Sequence, residues 1–225
     1  MSPPARRTTL VDDVYESVKA QLMDLVIEPG ARVNIEALAR DLAVSPTPVR
    51  EALARLESDG LVRKRAMSGY TASPLLTAAE FEQLCQLRAL LEVPAARLAA
   101  DHPHAAARAA LTAAVTPPSA EIDPSNYRRY APFTAHDAAF HDRLARLSGN
   151  PMLADAIGRL HAHLHLHRLY LPAGPATDTV AEHRAVAAAI AAGEPAAAAA
   201  AMTEHLTATR ARHIVAFSTT ETGKE

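Results

Sequence analysis

Apolar residues recur at helical spacing from the start of the chain. Val11, Val14, Val18, Leu22, Leu25 and Val26 share one broad face and predict an amphipathic helix from Val11 to Ile27, stopped by Glu28-Pro29-Gly30. A short helix is predicted from Ile35 to Leu42, with Asn34 as its cap and Leu38 and Leu42 turned inward. Ala43-Val44 then leaves only a tight connection before SPTPVREALARLESDG. There Ser45 suits the N-cap, Pro46 the first helical position, Val49, Leu53 and Leu56 one buried face, and Asp59-Gly60 the end. Two short helices so joined are the pattern of a helix-turn-helix. Leu61 to Arg65 and Tyr70 to Ser73 read as two short strands around a turn at Ala66–Gly69, a basic wing beside the third helix.

Ser73-Pro74 marks a boundary that divides the chain into residues 1–75 and 76–225. Beyond it the pattern is helical throughout. Thr77 with Glu80 forms a capping box opening a helix to about Ala100, whose inward face runs Phe81, Leu84, Arg88, Leu91 and Ala95. Further helices are predicted over His104 to Val115, Asn126 to Leu147, Pro151 to Tyr170 and Pro195 to Val215. Thr179 with Glu182 reads as a second capping box, opening a helix to Ala192. Loops are expected at 116–125 and 171–177, a loose basic arm with Arg6 and Arg7 at 1–10, and disorder at 218–225. The expected fold is mainly α: an N-terminal winged helix-turn-helix followed by an all-α antiparallel helical bundle.

Composition narrows the function classes. With 49% hydrophobic and 21% charged residues the chain is globular. Its net charge of -2 excludes a bulk polycation, and acidic and basic side chains balance up to residue 76, so nucleic-acid contact must come from a local patch. One cysteine, Cys85, excludes an internal disulfide framework. No apolar run approaches the roughly 20 residues of a membrane span, and MSPPARRTTL lacks a signal-peptide core, so no membrane partner and a cytoplasmic location are expected.

The third helix offers Ser45, Thr47 and Arg50 near its exposed N-terminus, with Arg55 further along. Hydroxyls and amides there can hold phosphates, and arginine can pair with guanine. Arg63, Lys64 and Arg65 of the wing suit phosphate contact, and Gly69 is its turn glycine. The stretch EPGARVNIEALARDLAVSPTPVREALARLESDGLVRKRAMSGYTAS resembles the winged helix-turn-helix of GntR-family bacterial transcription regulators. The resemblance implies binding to a palindromic double-stranded DNA operator as a homodimer. Many members carry arginine directly after the position of Ser45; here Pro46 stands there, which leaves more of the base readout to Arg50.

In the second half, Asp137 and His141 lie four apart on one helix, amid Phe133, Phe140 and Leu144, and His183 and His205 lie beside apolar residues on the last two helices. One carboxylate and three imidazoles suit a divalent transition metal such as Zn, Ni or Mn with open positions. Spacing alone leaves ordinary half-exposed histidines as the simpler account, because the chain has 11 of them. The segments EFEQLCQLRALLEVPAARLAA, HDAAFHDRLARLSGN and EHRAVAAAIAAGEPAAAAAAMTEH resemble the FCD ligand-binding domain of the FadR subfamily. That resemblance implies metal binding by Asp137, His141, His183 and His205. It matches Arg88 to a family arginine suited to a small carboxylate effector, although a buried salt bridge to Glu92 explains the same residue. Asn150 is a family position that also reads as a helix cap. Of His161, His163, His165 and His167, a continuous helix puts His161 and His165 on one face, the pair assigned to the effector cavity, with an ordinary polar helix side as the alternative for all four. A second metal among these four is an open alternative.

These features point to a transcription regulator, most often a repressor in this family, controlled by a small organic acid at the metal. The alternatives are a regulator for which the metal itself is the signal, and a metal-dependent helical enzyme. Against the enzyme, no spare general base stands near the ligand set, and an enzyme has no need of residues 10–75.

Overall fold

The computed structural model describes residues 9–65, 69–115, 121–170 and 174–218. The expected basic arm with Arg6 and Arg7, the wing tip at 66–68, the loop residues 116–120 and 171–173 and the tail from 219 lie outside the described residues. Two compact units divide the chain, Met1–Leu75 and Leu76–Glu225.

The first unit holds α1 (Leu10–Met23), β1 (Arg32–Val33), α2 (Ile35–Asp41), α3 (Pro46–Ser58), β2 (Val62–Arg65) and β3 (Gly69–Ala72). Thr9 caps α1 in a full capping box with Asp12, and Asn34 caps α2 by accepting from the Ala37 amide. Helix α1 ends four residues before the expected stop. Leu25 takes a left-handed φ of 58°, so Leu25 and Val26 are not inward residues of a helix but exposed ones. Elsewhere the predicted core forms between α1 and α3, with Val14, Val18, Leu22, Val49, Leu53 and Leu56 buried and Leu61 buried as well, whereas Val11 and Leu42 are only half-buried. Burying each leucine contributes roughly 1.5–3 kcal/mol.

The wing is a three-stranded antiparallel sheet in the order β1-β3-β2. Only two strands were expected, because two residues, Arg32 and Val33, are too few to show an alternation. Gly69 pairs with Arg65 across the wing tip at φ 78°, a value that favours glycine.

The second unit is a helical bundle, with α4 (Ala78–Ala100), α5 (Ala105–Ala110), a 3-10 turn (Thr112–Ala114), α6 (Tyr127–Leu147), α7 (Pro151–Gly158), α8 (Ala162–Leu169), α9 (Thr177–Ala192), α10 (Pro195–His213) and α11 (Val215–Ser218). Two short strands, β4 (Glu121–Ile122) and β5 (Gly174–Pro175), pair antiparallel. Thr77 and Glu80 form the predicted capping box on α4. Helix α10 packs on α4 and α9, and α4 also packs on α6. Ala95, Ala96, Ala99 and Ala100 give α4 a shallow surface against which Phe140, Leu144, Val186, Ile190 and Met202 close the core. Gly193 caps α9 at φ 71°, where an added Cβ would also meet the Arg108 guanidinium at 3.1 Å.

The helix expected over His104 to Val115 stops at Ala110 and gives way to the 3-10 turn, the expected loops at 116–125 and 171–177 carry the paired strands β4 and β5, and two further expectations fail. The single helix from Pro151 to Tyr170 is two helices, because His161 takes a left-handed φ of 44° and α8 begins afresh at Ala162. Helix α9 starts at Thr177 with Ala176 at its N-cap and no side-chain cap, so Thr179 and Glu182 do not form a capping box.

Candidate metal centre and nucleic-acid interface

In the first unit, the exposed side of α3 carries Thr47 and Arg50. Ser45 holds the N-cap position, yet its hydroxyl makes no capping bond and stays exposed. Arg50 stands 3.6 Å from Glu36, with both side chains more than half exposed, a contact that solvent screens and a stronger partner displaces. Arg55 is differently placed. It bonds Asp12 of α1 at 2.8 Å and lies over the Tyr15 ring at 4.2 Å, while the Tyr15 hydroxyl donates to Asp59. Arg55 therefore ties α3 to α1. Arg63, Lys64 and Arg65 are exposed along β2. A cleft of about 360 Å³ brings Arg50 and Gly69 together with Arg32 of β1. Arg32 is a cation at this surface that sequence reasoning missed for want of the third strand.

In the second unit, Asp137 and His141 of α6, His183 of α9 and His205 of α10 converge. All four are buried. The ligand-type atoms of His141, His183 and His205 lie within 4.8 Å of one another. Nε2 of His183 is 3.3 Å from Oδ1 of Asp137, and Nε2 of His205 is 3.3 Å from Nε2 of His141. The two imidazoles are oriented from behind: Nδ1 of His141 meets Glu92 at 2.5 Å and Nδ1 of His205 meets Glu182 at 2.8 Å. A carboxylate only accepts, so each Nδ1 carries the proton and each Nε2 presents a lone pair. Two lone pairs cannot bond each other. Moreover, among the described residues Asp137 Oδ1 and His183 Nε2, which face each other at 3.3 Å, are buried without a hydrogen-bond partner.

Leaving such atoms unsatisfied costs about 1–3 kcal/mol each, and a bound cation removes that cost. Donors about 3 Å apart match the edges of a coordination shell with bonds of roughly 2.0–2.1 Å. Glu92 and Glu182 supply the carboxylate support that metal-bound histidines usually have. The residues present therefore fit a divalent transition metal.

The electrostatics keep the donors in their binding forms. Burial lowers the pKa of His141 to about 4, against the opposing pull of Glu92, and pushes His183 well below its ordinary value, so both are neutral near pH 7. Burial opposes ionisation of Asp137, but His163, His183 and His141 outweigh it and hold the carboxyl well below its ordinary range. Burial opposes ionisation of Glu92 as well, and Arg88 and His141 overcome it.

The remaining candidates are distributed as follows. Arg88 is buried in an ion pair with Glu92, Nε to Oε1 at 2.6 Å, which makes Arg88–Glu92–His141 one chain of contacts. Asn150 caps α7 by accepting from the Leu153 amide at 3.1 Å. The fresh start of α8 sets which of its histidines meet α6. His163 bonds Asp137 at 2.6 Å and His167 bonds Thr134 at 2.9 Å, so these two share the face of α8 turned to α6. His161 instead lines an outer groove with Asp142, Arg146 and Arg159. Glu92 and Glu182 touch this cluster without having been placed there by the sequence, and His163, named only for a second metal, touches it as well. The D-x-x-x-H spacing shows only first partners, and their supports come from other helices.

Residues 10–71 match the family described as "Bacterial regulatory proteins, gntR family", and residues 83–208 match the FCD domain. The chain belongs to the GntR family and carries an FCD domain. This family's proteins are transcriptional regulators rather than enzymes. The chain is 30% identical over 206 residues to a protein of Paenarthrobacter nicotinovorans named "Probable D-xylose utilization operon transcriptional repressor", covering 90% of this chain and 88% of that one. It is 33% identical over 87 residues to the "Uncharacterized HTH-type transcriptional regulator YdhC" of Bacillus subtilis, a match that spans 39% of this chain and only 38% of that protein's length. The solved structure of Escherichia coli McbR/YncC shares the fold over 95% of this chain and 99% of its own, at a TM-score of 0.66 and 22% identity. No helix among the described residues is long and apolar enough to cross a membrane.

Proposed function

We propose that this regulator is a repressor whose operator affinity is set by a small organic acid bound at a divalent metal in its FCD domain. The observation that carries the reading is the convergence of Asp137, His141, His183 and His205, with Asp137 Oδ1 and His183 Nε2 buried 3.3 Å apart without a hydrogen bond and with two carboxylate-backed imidazoles. Residues 1–75 act as the DNA-binding domain and residues 76–225 as the metal, effector and dimerisation domain. Ser45, Thr47 and Arg50 face the major groove, Arg63, Lys64 and Arg65 meet phosphates, and Gly69 lets the wing tip approach the backbone. A homodimer reads two half-sites. Leu87, Leu90 and Leu98 support that assembly, since they leave an apolar stripe exposed on α4.

The metal supplies a Lewis-acid anchor for a carboxylate. The chain's own part is to hold the donors neutral or anionic, orient them through Glu92 and Glu182, and exclude water. An effector acts only through its different affinity for two conformations. A second reading has the metal alone as the signal. It is favoured by the pairing of Arg88 with Glu92, which leaves that cation already engaged.

Native mass spectrometry of tag-free protein purified without chelator, followed by operator titration with and without metal and acids, tests both. A dimer with about one metal per chain whose operator affinity changes only when an acid such as citrate is added supports the first reading. Control by metal without acid supports the second. A folded dimer that takes up no metal refutes both.

A further inference from the structure

The metal donors named above come from the long helices α6, α9 and α10. His163 reaches the same space from α8, a helix of eight residues. Asp137 is shared between the two sides: Oδ1 faces His183, and Oδ2 accepts from Nδ1 of His163 at 2.6 Å. The His163 ring stands 4.9 Å from that of His141, and Asp137, His141 and His163 form a second set whose donor atoms lie within 4.8 Å of one another. Glu92 and Glu182 approach their histidines at Nδ1, from behind the Nε2 that faces the cluster. His163 instead turns Nδ1 toward the carboxylate that is itself a donor.

Its mounting also differs. Helix α8 follows a left-handed His161 with no side-chain cap, and among the larger helices it packs chiefly on α6. A non-glycine residue in that conformation costs about 1–3 kcal/mol, so the start of α8 carries less stabilisation than the capped starts of α4 or α6.

We infer that His163 is a fifth protein ligand to the metal on the Asp137–His141 side when no acid is present: its imidazole would give up the hydrogen bond to Asp137 and carry its proton on Nε2, so that Nδ1 presents a lone pair, and the carboxylate of an entering acid would displace it and let the Nδ1–H bond to Asp137 re-form. This inference rests on the metal reading proposed above. It makes α8 the element that registers the acid. It also sets the acid's apparent affinity. If His163 holds the position about 90% of the time, the acid binds about tenfold more weakly than to an open site.

Cobalt(II) is the probe, added to full-length chelator-stripped protein, with visible absorption reporting the coordination shell and acetate and citrate as the acids. The variants are His163→Ala and His163→Gln, both checked by melting temperature so that one folded variant suffices. The expected results are an altered cobalt spectrum in the variant, its restoration toward wild type by added imidazole in the alanine variant, and acid binding roughly tenfold tighter. In wild type, citrate and removal of His163 should change the spectrum in the same direction. An unaltered cobalt spectrum with acid affinity unchanged or weakened overturns the inference and leaves His163 as a group that orients Asp137. Failure of the metal reading looks different: folded wild type gives no bound cobalt spectrum at all, or His183→Ala with His205→Ala leaves cobalt uptake intact.

Discussion

Replacing Glu182 by glutamine separates two roles that one residue can play. As the third residue after Thr179 it fits a capping box, where glutamine serves as well as glutamate. In the folded protein its carboxylate is engaged elsewhere. Oε2 accepts from His205 at 2.8 Å, and both oxygens accept from Arg212 at 2.6 and 2.8 Å. Burial opposes its ionisation, and the Arg212 and His205 hydrogen bonds more than compensate. Glutamine keeps an acceptor for His205 but removes the charge that makes the imidazole a stronger donor to a metal. Loss of such a support lowers metal affinity about 10–100-fold, or roughly 1.4–2.7 kcal/mol. The cost in stability is smaller, because Arg212 and Glu182 are both partly exposed and water screens their pair. The assay is competition for zinc or manganese against a chelator of known affinity, with the melting temperature of metal-free protein as control. The expected result is weaker metal binding with nearly unchanged melting, while Thr179→Ala changes neither strongly. Unchanged metal affinity in Glu182→Gln would falsify the support role.

Other substitutions and conditions test the remaining assignments. Arg50→Ala should reduce operator discrimination by about 1–3 kcal/mol, measured by fluorescence anisotropy against a scrambled duplex. Arg55→Ala should instead lower the melting temperature of the first unit and spare specificity, since it ties α3 to α1; the opposite pattern would exchange the two roles. Leu90→Glu places a charge on the exposed α4 stripe and should yield monomers in analytical ultracentrifugation; a persistent dimer would move the interface elsewhere. For pH, burial lowers His141 to about 4 and His167 to about 3, from an ordinary 6.5. The unfolded chain therefore takes up protons from about pH 6.5 downward while the folded chain does not. Stability of the metal-free protein is full above that pH and falls as pH drops toward 4, by roughly 1.4 kcal/mol per pH unit for each such histidine. Urea midpoints at pH 7.5, 6 and 5 should decline in that order, and a flat series would show that these imidazoles are not held neutral by burial.

Local chemistry in the sequence determined much of this protein. Helical spacing of Val49, Leu53 and Leu56, the caps at Asn34 and Asn150, and the Thr77–Glu80 box act within a few residues, and all of them are in place. The resemblance of the sequence to known regulators extended that reading to the two modules. What crosses between helices was decided by tertiary structure. The left-handed turn at His161 breaks the helical phase, and so His163 rather than His161 reaches Asp137. Glu182 leaves the capping pattern because a buried imidazole and an arginine offer its charge more than a helix end does. Arg88 pairs with Glu92 one turn along its own helix, as the sequence allowed, and what tertiary structure added is the His141 imidazole that α6 brings to the same carboxylate. Spacing specifies which residues share a helix face, whereas the partner of a buried charge is chosen by whatever the other helices bring within about 3 Å of it.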